Sequence, residues 1–172
     1  MNEAPAIACS PNPWPDQGPQ CRIFPDDRRF RSLLQDLLGD ALQLRDGDPP
    51  DHREAVLVDC LDSHEAIGSA RLLYPRQPLV GVLPRHDAGP IIATLAQGAA
   101  GVIALTDPPD AWRECVLVVM GGGRWLGGPG LEISLEEKRA VYDVARNDDL
   151  HGDVTMRTKL YVKQRIADKF RL

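Results

Sequence analysis

Short apolar runs alternate with amphipathic segments between Cys21 and Met120, and this alternation is what most constrains the fold. The runs have the length of strands, and several are apolar at nearly every position, as in a sheet covered on both faces. They are Cys21–Phe24, Ala41–Arg45, Ala55–Val58, Leu79–Leu83 and Gly101–Leu105. Segments with helical spacing lie between them, around residues 30–38, 64–74, 88–97 and 110–120. The pattern predicts an α/β protein with a doubly wound, parallel five-stranded sheet.

The segment between Arg45 and Ala55 interrupts this series. It contains two prolines and no apolar stripe, so we predict that the second crossover helix is missing or vestigial. An uncovered sheet face costs about 25 cal/mol for each Å² of apolar surface left in water. We therefore expect another segment, such as the N-terminal arm with Trp14, or a second molecule to cover that face.

Composition divides the rest of the chain. Five prolines among polar residues precede the first strand, which is typical of a disordered arm. Glycine clusters follow Met120 and indicate a linker, and Ser134 with Glu137 forms a capping box that begins a new helix. The predicted boundaries are 1–20 for a disordered proline-rich arm, 21–126 for the sheet domain, 127–133 for the linker and 134–172 for a small all-α segment.

Several classes of protein are excluded. The apolar runs are far shorter than the roughly 20 residues of a membrane span, and no signal-peptide pattern precedes Arg22. We expect a cytoplasmic protein with no membrane association, in which the scattered cysteines Cys9, Cys21, Cys60 and Cys115 are reduced thiols. The chain has no phosphate-binding glycine loop, nucleophile elbow or histidines at metal-ligand spacing, so we do not expect an enzyme.

Three stretches near the end of the predicted sheet carry a more specific pattern. They are Gly98–Ile103, Asp107–Asp110 and Gly121–Leu126. Together they resemble the fifth strand, fifth helix and exit of the receiver domain in two-component response regulators with a LuxR-type helix-turn-helix output. Residues 134–147 resemble the first helix of that output and residues 157–170 its recognition helix, with a shortened stretch between them.

The resemblance implies a phosphorylation site at the carboxyl edge of the sheet. Asp59 matches the phosphoacceptor, and Asp26, Asp27 and Asp59 match the carboxylates that hold Mg²⁺, a cation that prefers oxygen ligands. The residues alone leave another reading open, in which Asp26 and Asp27 only begin a helix and Asp59 only ends a strand. We expect no cofactor to be required, with Mg²⁺ at these carboxylates as the alternative.

Two parts of the receiver switch are missing. Leu105 stands where the family has a lysine, and the chain contains no lysine before Lys138. Leu83 and Pro84 stand where the family has a hydroxyl residue. A phosphoryl group would then favour no conformation strongly, so we predict a pseudo-receiver that works independently of phosphorylation.

The helix around 110–120 is apolar on nearly all sides. One face of a helix suffices for the core, so we predict a homodimer interface that includes Trp112, Val116 and Val119. Burial between the sheet and the linker is the alternative.

The C-terminal segment 154–172 has six basic residues against one acid, Asp168, in a chain whose net charge is −5. Basic side chains on a helix neutralise phosphates, so this segment is a candidate for DNA binding. The candidate DNA-binding residues are Arg157, Thr158, Lys159, Tyr161, Lys163 and Arg165. The alternative is a solvated basic helix that packs against the acidic domain.

These patterns predict an atypical, phosphorylation-independent transcription regulator of the response-regulator type. It would bind DNA through its basic C-terminal helix as a dimer. The alternative is a pseudo-receiver module that does not bind DNA and instead binds or sequesters another regulator protein. Salt dependence of DNA affinity separates the two.

Overall fold

Parallel strands and their connecting helices make up the part of the chain that the computed structural model describes, residues 18–46 and 54–126. The elements are β1 (Gln20–Phe24), α1 (Arg28–Leu38), β2 (Gln43–Leu44), β3 (Ala55–Asp59), α2 (Ala66–Leu73), β4 (Leu79–Leu83), α3 (Ala88–Ala96), β5 (Gly101–Ala104), α4 (Pro109–Met120) and β6 (Trp125–Leu126). All strand pairs are parallel, in the order β2-β1-β3-β4-β5-β6. The predicted α/β fold with a doubly wound parallel sheet is confirmed.

Helices cover both faces of this sheet. Side chains of β1, β3, β4 and β5 form one core with α1 and α4, and the alternate side chains form a second core with α2 and α3. In β1, for example, Ile23 contributes to the first core and Phe24 packs against the second, as the two-residue period of a strand requires. Burial on both faces explains why β3 and β4 are continuous apolar runs.

The loop after β1 is fixed by the start of α1. The side chain of Asp27 accepts a hydrogen bond from the backbone N–H of Arg29 at 3.1 Å, which caps the helix. The helix ends at Gly39, whose φ of 51° favours glycine and whose N–H donates to the carbonyl of Gln35. These local signals place Asp26 and Asp27 at the carboxyl edge of the sheet.

The sixth strand was not part of the prediction. Gly122, with a φ of 81°, allows the chain to turn sharply after α4, and the N–H of Gly123 donates to the carbonyl of Val118. The chain then returns to pair Trp125 with Gly101. The two residues of β6 are too few to show strand periodicity in the sequence, so only the tertiary pairing identifies them.

The sheet face beside β2 is more polar than expected. Arg22 of β1 and Glu54 lie on that face and form an ion pair, with 2.6 Å between Nε and Oε2. Next to them, the ring of Phe24 meets the ring of Tyr74 edge to face, with the centroids 6.3 Å apart. A charged pair thus occupies this face at Arg22, and the prediction that the N-terminal arm or a second molecule covers the face is untested.

Some predictions fall on residues that the structure does not describe. The segment without the crossover helix includes residues 47–53, and the arm, linker and all-α segment correspond largely to 1–17 and 127–172. These predictions are untested. Within the described ranges, no helix combines the length and the apolar character needed to cross a membrane.

Candidate functional site

The loops that follow four neighbouring strands meet at the carboxyl edge of the sheet, where ligands bind in open parallel α/β folds. Asp26 and Asp27 follow β1, and Asp59 is the last residue of β3. Pro84 follows β4 and Leu105 follows β5. The structure therefore brings every predicted receiver position to this one edge.

Each predicted acidic residue has a local partner at that edge. Asp26 accepts a hydrogen bond from the guanidinium of Arg31 at 3.2 Å, and Arg31 also contacts Asp46. Asp59 Oδ1 accepts the backbone N–H of Leu61 at 3.0 Å, which forms a tight turn after β3.

These partners bear on the magnesium prediction. Across the described ranges, no three His, Cys, Asp or Glu side chains are placed to hold a metal ion together. Asp26, Asp27 and Asp59 are therefore not arranged as a metal site in this structure. Metal binding by these residues, and a phosphoacceptor role for Asp59, stay predictions without geometric support.

Apolar side chains occupy the two remaining positions that the resemblance predicts for the receiver switch. Leu83 is buried at the end of β4, and Leu105 is half-buried against the core on the α1 and α4 face. The backbone N–H of Leu105 donates to the carbonyl of Leu83 at 2.9 Å, so the two positions are neighbours. Neither side chain can donate a hydrogen bond to a phosphoryl group.

A polar pair that the sequence analysis missed lies in the same two loops. His86 Nε2 lies 2.9 Å from Oδ1 and 2.8 Å from Oδ2 of Asp107, so the side chains bridge the loop after β4 and the loop after β5. Asp107 is only 5% exposed. The signal in the sequence is one titratable residue shortly after each of two adjacent strands, which sheet order alone converts into a contact.

The cysteines of the described part are buried and unpaired with one another. Burial, with a smaller contribution from the nearby charge of Asp59, raises the pKa of the Cys60 thiol to about 12. Burial likewise raises the pKa of Cys21 and of Cys115 far above the ordinary value. Thiols held in the neutral form are poor nucleophiles, so these three are structural, as expected.

The helix α4 does not present the predicted dimer contacts. Trp112, Val116 and Val119 are 0%, 1% and 2% exposed and pack in the core against the sheet and α1. The structure therefore corrects the assignment of these three residues to an interface. Half-buried residues such as Leu117 and Val118 are the apolar side chains of α4 that remain accessible. Dimerisation itself stays a prediction.

The predicted DNA-binding residues lie outside the described part. They are Arg157, Thr158, Lys159, Tyr161, Lys163 and Arg165, all within 127–172. Their assignment depends on the basic charge of the segment and stays a prediction.

Solved structures of response regulators resemble this fold. A two-component response regulator of the LuxR family from Aurantimonas sp. SI85-9A1 superposes with a TM-score of 0.51 at 13% identity, covering 72% of this chain and 98% of that one. A LuxR family DNA-binding response regulator from Silicibacter pomeroyi gives 0.47 at 18% identity, covering 63% and 97%. The response regulator DrrB from Thermotoga maritima, an OmpR/PhoB homologue, gives 0.49 at 13%, covering 88% of each chain.

Comparison of the sequence with known proteins finds no match. No protein family matches the chain, and no curated protein matches it in sequence. At 13% identity, the likeness to the Aurantimonas regulator shows the fold alone. The described part of this chain thus has the receiver-like fold of response regulators, with Leu83 and Leu105 at the two predicted switch positions.

Proposed function

We propose that this chain is a transcription regulator of the response-regulator type whose receiver-like domain works without phosphorylation. In this proposal the basic segment 154–172 binds DNA, and the chain acts as a dimer. The observation that carries the proposal is the pair Leu83 and Leu105, neighbours that occupy both positions where a receiver would engage a phosphoryl group.

Phosphorylation changes a protein's state only when the modified group binds one conformation more tightly than another. A phosphoryl group on Asp59 would need a cation and a hydroxyl to bind in the active arrangement. Leucine supplies neither, and Asp59 is already bonded to the N–H of Leu61. These features favour control by abundance, by a partner or by a ligand.

The DNA-binding part of the proposal rests on charge. The segment 154–172 carries a net +5 by its six basic residues and one acid, so the remainder of the chain carries −10. The basic segment would be attracted to the phosphates of DNA, whereas the acidic remainder of the chain would be repelled by them. Two copies in a dimer would double the number of phosphate contacts.

The first experiment measures DNA binding by the purified full-length chain at several salt concentrations. We expect affinity for genomic fragments to fall steeply with salt, with a logarithmic slope of about −0.9 for each phosphate neutralised. A variant with Arg157→Ala, Lys159→Ala and Arg165→Ala should lose most of that affinity and flatten the slope.

The matched control removes the same charge elsewhere. Arg28, Arg29 and Arg76 are exposed on the receiver-like domain, so changing all three to alanine alters net charge equally without touching the basic segment. If both triple variants lose affinity to the same extent, the segment has no special role. A folded chain that binds no DNA at low salt would instead support a module that captures another regulator.

Independence from phosphorylation has its own test. Full-length protein is incubated with acetyl phosphate and Mg²⁺, and its intact mass and DNA affinity are compared with those of Asp59→Asn. We expect equal affinities with and without the phosphodonor and in the variant. A mass gain that Asp59→Asn abolishes, together with a change in affinity, would contradict the proposal.

A further inference from the structure

The contact between His86 and Asp107 joins the N-terminal end of α3 to the N-terminal end of α4. His86 lies one residue before Asp87, the N-cap of α3, and Asp107 lies one residue before Pro108, the N-cap of α4. The two loops follow adjacent strands of the sheet. A bond between these side chains therefore fixes how the two helices begin relative to each other.

Asp107 is anchored on the β5 and α4 side by three further hydrogen bonds. Its Oδ2 accepts the backbone N–H of Ala104 at 2.9 Å, and its own N–H donates to the carbonyl of Ala104 at 3.0 Å. Its carbonyl accepts the indole N–H of the fully buried Trp112 at 3.2 Å. The carboxylate that receives His86 is thus tied to β5 and α4 by hydrogen bonds.

Among the described residues, the imidazole of His86 bonds through one of its two nitrogens. Nε2 faces the carboxylate, whereas Nδ1 is buried and has no hydrogen-bond partner among the described residues. The side chain of His86 is 15% exposed, so water compensates little if the bridge opens. Since a buried carboxylate that loses its donor also pays for desolvation, the closed arrangement is favoured on both sides.

We propose that the His86–Asp107 bridge is a latch that holds the loops after β4 and β5 in a single arrangement. This rests on the proposed function, because it names what keeps the receiver-like domain in one state without a phosphoryl group. The bridge is a permanent contact, where a phosphorylation switch would use a reversible one. Consequently, the N-terminal ends of α3 and α4, which lie on opposite faces of the sheet, keep one arrangement relative to each other.

The test compares two substitutions of His86 whose amide nitrogens lie at different distances from the backbone. A glutamine amide nitrogen reaches about as far as Nε2 of histidine and can donate to Asp107, whereas an asparagine amide is shorter and cannot. In the full-length chain, we expect His86→Asn to accelerate amide hydrogen exchange about tenfold in residues 85–88 and in residues 104–107, as for one lost bond to a carboxylate. His86→Gln should exchange nearly as the unmodified chain does.

Transmission across the bridge distinguishes a latch from a local effect. Asp107→Ala should accelerate exchange in residues 85–88, which belong to the other loop. Arg85→Gln is the matched control, since it removes the neighbouring contact between Arg85 Nε and Asp87 Oδ2 at 2.6 Å within one loop and should leave residues 104–107 unchanged. Amides of β3 report global opening and serve as the internal reference.

Three results would overturn the proposal. One is an unchanged rate of amide exchange in residues 85–88 of Asp107→Ala, and another is exchange in His86→Gln that is as fast as in His86→Asn. The third is an equal acceleration of exchange in β3 in all variants. None of these readouts involves DNA. Failure of the latch is therefore separable from failure of the proposed function, which the binding experiment decides.

Discussion

Nε of Arg22 lies 2.6 Å from Oε2 of Glu54, and this ion pair stands on the sheet face beside the short edge strand β2. The same carboxylate accepts from Arg45 at 3.3 Å, and Arg45 also donates to the side-chain oxygen of Gln20 at 2.9 Å. Glu54 is 2% exposed. One buried carboxylate therefore ties β1, the end of β2 and the start of β3 together.

Glu54→Gln tests this network. The substitution keeps the shape of the side chain and removes its charge, which weakens the contact with the nearly buried Arg22. Because breaking one buried ion pair is strongly destabilising, we expect the free energy of unfolding to fall by about 3 kcal/mol. Urea denaturation of the full-length chain measures it.

The control for that prediction is Arg45→Gln. Arg45 is about half exposed, so its contact with Glu54 is screened by solvent and should contribute less than about 1 kcal/mol. Similar losses in the two variants would mean that burial does not determine the strength of these contacts.

Arg71 joins the end of α2 to two loops. Its guanidinium donates to the carbonyls of Tyr74, Gln77 and Gly98 at 3.3, 3.0 and 2.8 Å, and partial burial lowers its pKa. Arg71→Lys keeps the charge but replaces the planar fork by a single ammonium. We expect a loss of about 2 kcal/mol in stability by thermal or urea unfolding. The exposed Arg76→Lys should change nothing measurable, and a loss of the same size there would refute a specific role for Arg71.

Gly81 permits close packing between β4 and α3. A Cβ at Gly81 would overlap with Cγ2 of Thr94, a buried residue of α3. We expect Gly81→Ala to destabilise the chain by about 2 kcal/mol, as overpacking does. Thr94→Ser removes that methyl group, so the double variant should recover most of the loss relative to Thr94→Ser alone. Additive losses in this cycle would show that the two residues do not clash.

The buried thiols predict an alkaline loss of stability. The pKa of Cys60 is raised from 9.0 to about 12, so in the folded state this thiol stays neutral where the unfolded chain ionises. The contribution of the neutral Cys60 thiol to the free energy of unfolding is complete below pH 9. It falls as pH rises towards 12, by up to about 1.4 kcal/mol for each pH unit. Unfolding of the native chain and of Cys60→Ala at pH 8 and pH 10.5 measures the difference. Parallel pH dependences would contradict it.

Thiol reactivity gives a second readout of the same burial. At pH 8, a thiol reagent should label Cys21, Cys60 and Cys115 only at the rate of unfolding, because the thiolate is the reacting form and burial suppresses it. A Cys9→Ser variant removes the thiol outside the described residues from the measurement. Rapid labelling of any buried thiol in folded protein would disprove the assignment.

Local patterns in the sequence determined the order and type of the elements. Strand β4 runs over Leu79–Leu83 as predicted, since a run of five buried residues is apolar throughout. The first helix begins at the capping residue Asp27 for a similarly local reason. The resemblance also put Asp59, Leu83 and Leu105 at one edge, because parallel strands end on the same side of a sheet.

Tertiary structure decided what those residues contact. Trp112 and Val116 lie in the core because α4 packs against both the sheet and α1, which an apolar helix sequence does not distinguish from an interface. The His86–Asp107 bridge and the Arg22–Glu54 pair depend on which strands are neighbours. Each joins residues 21 or 32 positions apart, and no local pattern encodes a contact over that distance.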